Sequence, residues 1–338
     1  MFANYWRFAS EPEFAVKASQ TKTILFCLFA LPVTDNSLAQ AKYPDRPMRL
    51  VVPFAPGGGA DIVGRIVAQR ASETLGQQVV VDNRAGGGGT MGAEIAATAR
   101  PDGYTLILIS ATYAISPSLY KLPYDALKDI LPAGLLATGP FVIVVHPSLP
   151  ARSVKELITF ARSKPSAITY GSSGTGSITH LATELFCMMA GVKMIHVPYK
   201  GTGPAMTDLL GGQIQVIFGT SVSVAGHIKG GKLVPLAVTG PKRMTTLAEL
   251  PTVAESGLPN YEVQTWYGIW FPRGTPREII TRWNKEINSM VSEPRLAQRF
   301  AQEGLEPAPG SPDDFVKVLN RDVERWKRVV ERAAVKVD

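Results

Sequence analysis

The apolar positions of the chain fall into short runs of strand length, separated by stretches with helical spacing. Leu50-Val51-Val52 is a β-branched run that stops at Pro53. After Pro56-Gly57-Gly58-Gly59, apolar residues recur at 62, 63, 66 and 67, one face of a helix. Residues 78–83 read as a second buried strand, ended by Arg84-Ala85 and four glycines, and 90–98 as a short helix of small residues. A turn at 100–103 leads to a third strand at 104–109. Strands separated by helices at this interval predict a parallel sheet with helices on its faces.

The pattern loosens over 110–138, rich in Pro, Tyr and Leu, and resumes with a strong strand at 141–145. A second α/β series follows. Ser153 caps a helix at 154–163, with Glu156 at the capping-box position. A strand at 168–170 runs into the loop 171–177, and a helix covers 178–191. The strand 195–199 repeats this step into Lys200-Gly201-Thr202-Gly203 and the helix 204–210; further strands lie at 213–218 and 233–239. The aromatic run 266–271 suits a strand returning to the first half, and amphipathic helices at 276–291 and 312–334 finish the chain. At 338 residues the chain exceeds one typical domain, so the series is read as two lobes.

One element recurs in both halves: a strand that ends in a Gly/Ser-rich loop at a helix start. Such a loop leaves the first helical amides unpaired and lets a ligand approach the backbone, which suits an anion. In an open α/β sheet these loops lie where ligands bind, and two facing each other would hold one ligand from both sides. The plain alternative is a turn ahead of each helix.

Charge and composition narrow the partners. The net charge of +7 comes from scattered Lys and Arg, with no dense run and no aromatic-interleaved basic stripe, so nucleic acid is not expected. A mild positive field that draws small anions fits better. Residues 1–41 read as an export signal: Lys22 precedes the apolar run 24–31, too short to span a bilayer, and Ala39 or Ala41 offers a cleavage site. Cys27 sits inside that run, so only Cys187 remains after cleavage and no internal disulfide is expected.

Other motifs carry less. Gly87-Gly88-Gly89-Thr90-Met91-Gly92 matches G-x-G-x-x-G, but it follows the second strand, and the third ends without an acidic residue for a ribose. A tight turn packing a helix onto the sheet is the expectation there. Gly171 to Thr175 fails G-x-S-x-G at its last position, so a serine hydrolase built on Ser173 and His180 lacks a nucleophile elbow. The four histidines show no metal-ligand spacing, and neither metal nor cofactor is expected.

Several segments together resemble one family. They are Val52-Pro53-Phe54-Ala55-Pro56-Gly57-Gly58 with Asp61 and Arg65, then Val81-Asp82-Asn83-Arg84-Ala85-Gly86, and Pro101-Asp102-Gly103-Tyr104-Thr105-Leu106. Next come Gly171-Ser172-Ser173-Gly174, Gly176-Ser177 with His180, and Val197-Pro198-Tyr199-Lys200-Gly201. Leu236-Ala237-Val238-Thr239, Pro251-Thr252 with Glu255 and Gly257, and Pro272-Arg273-Gly274-Thr275-Pro276 complete the series. Residues 43–338 thereby resemble the tripartite tricarboxylate transporter substrate-binding family, also called Bug proteins.

The resemblance implies a two-lobed periplasmic binding-protein fold of type II character, each lobe a mixed, mostly parallel sheet flanked by helices, with the ligand cleft between lobes. The implied lobes are 42–142 with 267–338, and 143–266. It implies no enzymatic activity and a monomer that captures a small organic carboxylate for the permease subunits of a tripartite membrane transporter. An exported sensor acting on a membrane receptor would use the same cleft. By motif position the ligand would be clasped by Phe54, Ala55, Gly57, Gly58, Gly59 and Asp61 on one side. On the other stand Ser172, Ser173, Gly174, Thr175, Gly176 and Ser177, with His180 and Tyr199. Gly59-Ala60 stands where a Ser or Thr is frequent in the family, which removes one possible hydroxyl donor.

Overall fold

In the computed structural model, residues 43–333 and 335–337 are described; the export signal proposed for 1–41 lies outside them. The first half opens with β1 (Met48–Val52), α1 (Gly59–Leu75), β2 (Val79–Asn83), α2 (Thr90–Ala97), β3 (Thr105–Ser110) and the short α3 (Ser116–Leu119). The strand β4 (Ile130–Val145) then runs for 16 residues. The second half holds α4 (Val154–Ser163), β5 (Thr169–Ser172), α5 (Ile178–Ala190), β6 (Ile195–Pro198), α6 (Thr202–Leu210), β7 (Val216–Thr220), α7 (Ser221–Lys229) and β8 (Val234–Val238). The chain returns through β9 (Gln264–Pro272) and ends with α8 (Arg277–Ser292), α9 (Pro294–Gln302), β10 (Glu306–Pro307) and α10 (Pro312–Ala333).

The strands lie in the order β2-β1-β3-β9-β4-β7-β5-β6. Both β1–β2 and β1–β3 are parallel, as are β5–β6 and β5–β7, while β9 and β4 are antiparallel to their neighbours. β4 belongs to both sheets. Its residues 130–140 pair with β9, whereas Phe141–Val145 pair with β7 on one side and Val142–Val145 with β8 on the other. The crossing is tied by Thr239: its hydroxyl accepts from Phe141 N at 2.8 Å and donates to Val263 O at 2.6 Å.

The period-2 alternation decides which core each side chain joins. On β1, Met48, Leu50 and Val52 face α1 and α8 in one cluster, while Val51 points into another with Ile107 and Ile109 of β3. On the far end of β4, Phe141, Ile143 and Val145 pack towards α5, and Val142 and Val144 towards α6. Each such fully buried aliphatic side chain contributes about 1.5–3 kcal/mol of transfer free energy.

Several features differ from the expectation. The region 110–138, read as irregular, supplies the first half of β4; Pro132, Gly134, Gly139 and Pro140 mask it in the sequence, and register shifts at Pro132/Gly134 and Leu135/Ala137 absorb them. The helices α7 and α9 were not anticipated, because Ser221–Lys229 is β-branched and glycine-containing, and Pro294–Gln302 begins directly behind α8. At α4 the capping box is displaced by one residue. Ser153 Oγ accepts from Glu156 N, but the Glu156 carboxylate takes the amide of Arg152.

Candidate functional site

Four helices start around one cavity of about 30 Å³ between the two sheets. Gly58, Gly59 and Ala60 open α1, Ile178 and Thr179 open α5, Thr202 opens α6, and Thr220 caps α7; all line the cavity. Ser110, Thr112, Ser173, Thr265, Tyr267, Phe54 and Phe141 complete the wall. Among the described residues that line it, none is Asp, Glu, Lys, Arg or His. The wall therefore offers hydroxyls and the positive ends of helix dipoles, a surface that stabilises negative charge without a cationic side chain.

The first loop is held from beneath. Asp61 is buried and takes three residues at once: Gly57 N at 3.0 Å, Arg65 Nε at 3.0 Å and Asn83 Nδ2 at 3.0 Å. Burial raises its carboxyl, but the bonds from Arg65, Gly57 and Asn83 outweigh it and hold Asp61 below the usual carboxylate range. Its carboxylate is thus spent inside the loop, away from the cavity wall. Gly59 needs its missing side chain: a Cβ there would meet the Tyr267 hydroxyl and lie 2.6 Å from Thr220 Oγ1. Ala55 reaches across the cleft, its amide donating to Lys200 O at 2.9 Å.

In the second loop, only Ser173 of the residues 172–177 lines the inner cavity, with its amide and hydroxyl both bonded to Thr179 Oγ1 at 2.9 and 3.0 Å. Gly174, Thr175 and Tyr199 border an outer space of about 350 Å³, opposite Gly86–Gly89 and Tyr120. Tyr199 donates its hydroxyl to Asp208 at 2.6 Å. Ser177 caps α5, its hydroxyl accepting from His180 N at 3.3 Å.

Ser172 and His180 lie behind the loop rather than on its cavity side. Ser172 Oγ is 2.6 Å from His196 Nε2, and Gly176 N donates to His180 Nδ1 at 3.1 Å. Ser173 and His180 are therefore engaged with other partners and do not pair with each other. The first glycine loop also faces a different neighbour from the one expected: Gly57 and Gly58 meet Thr202 and Gly203, while Gly88 meets Gly174 and Thr175.

Sequence reasoning missed Ser110, Thr112, Thr179, Thr202, Thr220, Thr265 and Tyr267. Ser110 and Thr220 carry a signal, since each ends a strand before a helical turn. Tyr267 carries none; it enters the cavity because β9 pairs with β3, Ser110 against Tyr267.

Two mixed sheets joined by crossing strands, with helix N-termini turned towards the cleft between them, define a two-lobed solute-binding protein. Comparison with known proteins specifies which. The family model described as tripartite tricarboxylate transporter family receptor matches residues 63–335. BugT of Bordetella pertussis is 36% identical over 311 residues, covering 91% of this chain and 94% of that one. Among solved structures, Rpa4515 of R. palustris with adipate aligns at TM-score 0.85 and 37% identity, over 87% of this chain and 99% of that chain. The periplasmic binding protein BugD aligns at TM-score 0.84 and 36% identity, over 87% of this chain and 99% of that chain. The chain belongs to the tripartite tricarboxylate transporter receptor family and is a solute-binding protein, not an enzyme.

Proposed function

We propose that this protein captures a small organic carboxylate in the periplasm and delivers it, as a monomer, to the permease subunits of a tripartite transporter. The observation that carries the carboxylate is the convergence of the α1, α5, α6 and α7 N-termini on a hydroxyl-lined cavity without charged side chains. Adipate in the related R. palustris protein is a carboxylate of this kind. The lobes are proposed as 42–142 with 267–338, and 143–266. This division is supported by the change of β4 from β9 to β7 and β8 near Phe141 and by the start of β9 at Gln264. Phe54, Gly58, Gly59 and Ser173 are proposed to face the ligand, joined by Thr112, Thr179, Thr202 and Thr220. Ala55, Gly57, Asp61, Ser172, Gly176, Ser177 and His180 shape the two loops, and Gly174, Thr175 and Tyr199 border the entrance.

A thermal-shift screen against adipate, malate, citrate, glutamate and benzoate tests the reading. A carboxylate present at about 100 times its Kd adds about 2.7 kcal/mol to stability. The matching amide should add nothing, since it lacks the charge that the helix ends favour. Equal shifts by acid and amide would refute the anion site.

A further inference from the structure

The two lobes also touch each other directly at the outer edge of the cleft. Tyr120, one residue beyond α3, donates its hydroxyl to Thr175 O at 2.7 Å. Beside it Gly88 comes so near that a Cβ there would lie 2.6 Å from the same carbonyl oxygen. A Cβ on Gly176 would lie 2.7 Å from Leu119 Cδ1. The end of α3 and the glycine loop before α2 thus close on Thr175-Gly176 of the opposite lobe. Neither Tyr120 nor Gly88 lines the inner cavity; both border the outer space that adjoins it through Phe54 and Ser173. Burial raises the Tyr120 phenol above its ordinary value, so it stays a neutral donor.

We propose that Tyr120 is a closure latch that sets how long the bound anion stays, without touching it. This rests on the reading of the cleft as a carboxylate site closed by lobe movement. The Tyr120–Thr175 bond and the Gly88 contact join the lobes and are lost when they part. They stabilise the closed form alone, and they must break before a ligand can leave. Such a contact acts on dissociation more than on association. The net worth of one neutral hydrogen bond corresponds to about a two- to tenfold change in the open population.

The test compares wild type with Tyr120→Phe and Gly88→Ala. Two amides that bond neither Tyr120 nor Thr175 report opening without any ligand. Ala55 N is bonded to Lys200 O, and Ile178 N to Thr112 Oγ1 at 3.1 Å, both across the cleft. Hydrogen exchange at Ala55 and Ile178 should rise about two- to tenfold in Tyr120→Phe, with the melting temperature nearly unchanged. Gly88→Ala, which wedges a methyl group against the Thr175 carbonyl, should raise the same two amides. For whichever of adipate, malate or citrate binds wild type, koff should rise by a similar factor and kon stay level. If exchange changes only within 172–177, or in neither variant, the latch is refuted. If none of the carboxylates binds wild type, the binding reading fails, and the exchange result still decides the latch.

Discussion

His180 and His196 lie face to face, their ring centroids 3.8 Å apart and their planes within 8° of parallel. Tyr170 stacks on His196 at 5.0 Å, and its hydroxyl donates to Glu184. Two imidazoles this close cannot both carry charge cheaply. Burial first, and then the neighbouring His196, push His180 down to about 3; burial alone pushes His196 down to about 4. Neutral His180 can then accept the Gly176 amide and pin the second loop.

The pair makes acid stability predictable in sign. The unfolded chain protonates both histidines near pH 6.5, whereas the folded chain does so only near 3 and 4. Stability from this source is intact above pH 6.5 and lost progressively as pH falls from there towards about 4, because the unfolded state binds more protons. Melting curves between pH 7.5 and 4.5 should therefore decline. The decline should be shallower in His180→Phe, which keeps the stack but cannot be protonated; equal slopes would contradict the account.

Asp61→Ala should destabilise the protein by about 1.5–3 kcal/mol, the range for hydrogen bonds to a buried charged group. The loss comes from the stranded Gly57 amide and Asn83 amide group. The Arg65 partner is half-exposed and adds little through charge alone. Chemical denaturation measures the stability change, and calorimetry with a bound carboxylate should show weakened affinity, since the first loop loses its anchor.

Gly59→Ala tests the geometry of the first loop against the opposite wall. The added methyl group collides with the Tyr267 hydroxyl and Thr220 Oγ1. Carboxylate affinity should fall more than tenfold by calorimetry, while Gly76→Ala at the far end of the same helix, where a Cβ meets nothing, should leave it unchanged.

Cys187 is buried on α5, and its thiol is pushed up to about 12, by burial first and then by Glu184. A thiol held protonated is unreactive. Native protein should leave Cys187 unmodified by iodoacetamide at pH 8, with full modification after denaturation; rapid native labelling would show that α5 opens.

Elements whose signals are local could be read along the chain. Leu50-Val51-Val52 followed by Gly57-Gly58-Gly59, and Ser172 to Ser177 before an apolar helix, carry strand, loop and helix start within a dozen residues each. Both loops were therefore legible, along with the returning strand at 266–271. What those loops face follows from packing between distant segments. It put Thr202 rather than Ser173 against Gly58, brought Tyr267 beside Ser110 through β-pairing, and turned Ser172 and His180 away from the cavity. The first part of β4, residues 130–140, was hidden because prolines and glycines argue against a strand locally, while pairing with β9 sustains it. Periodicity is written along the chain, but the partners of a side chain across a cleft depend on strand order and register, which no local pattern encodes.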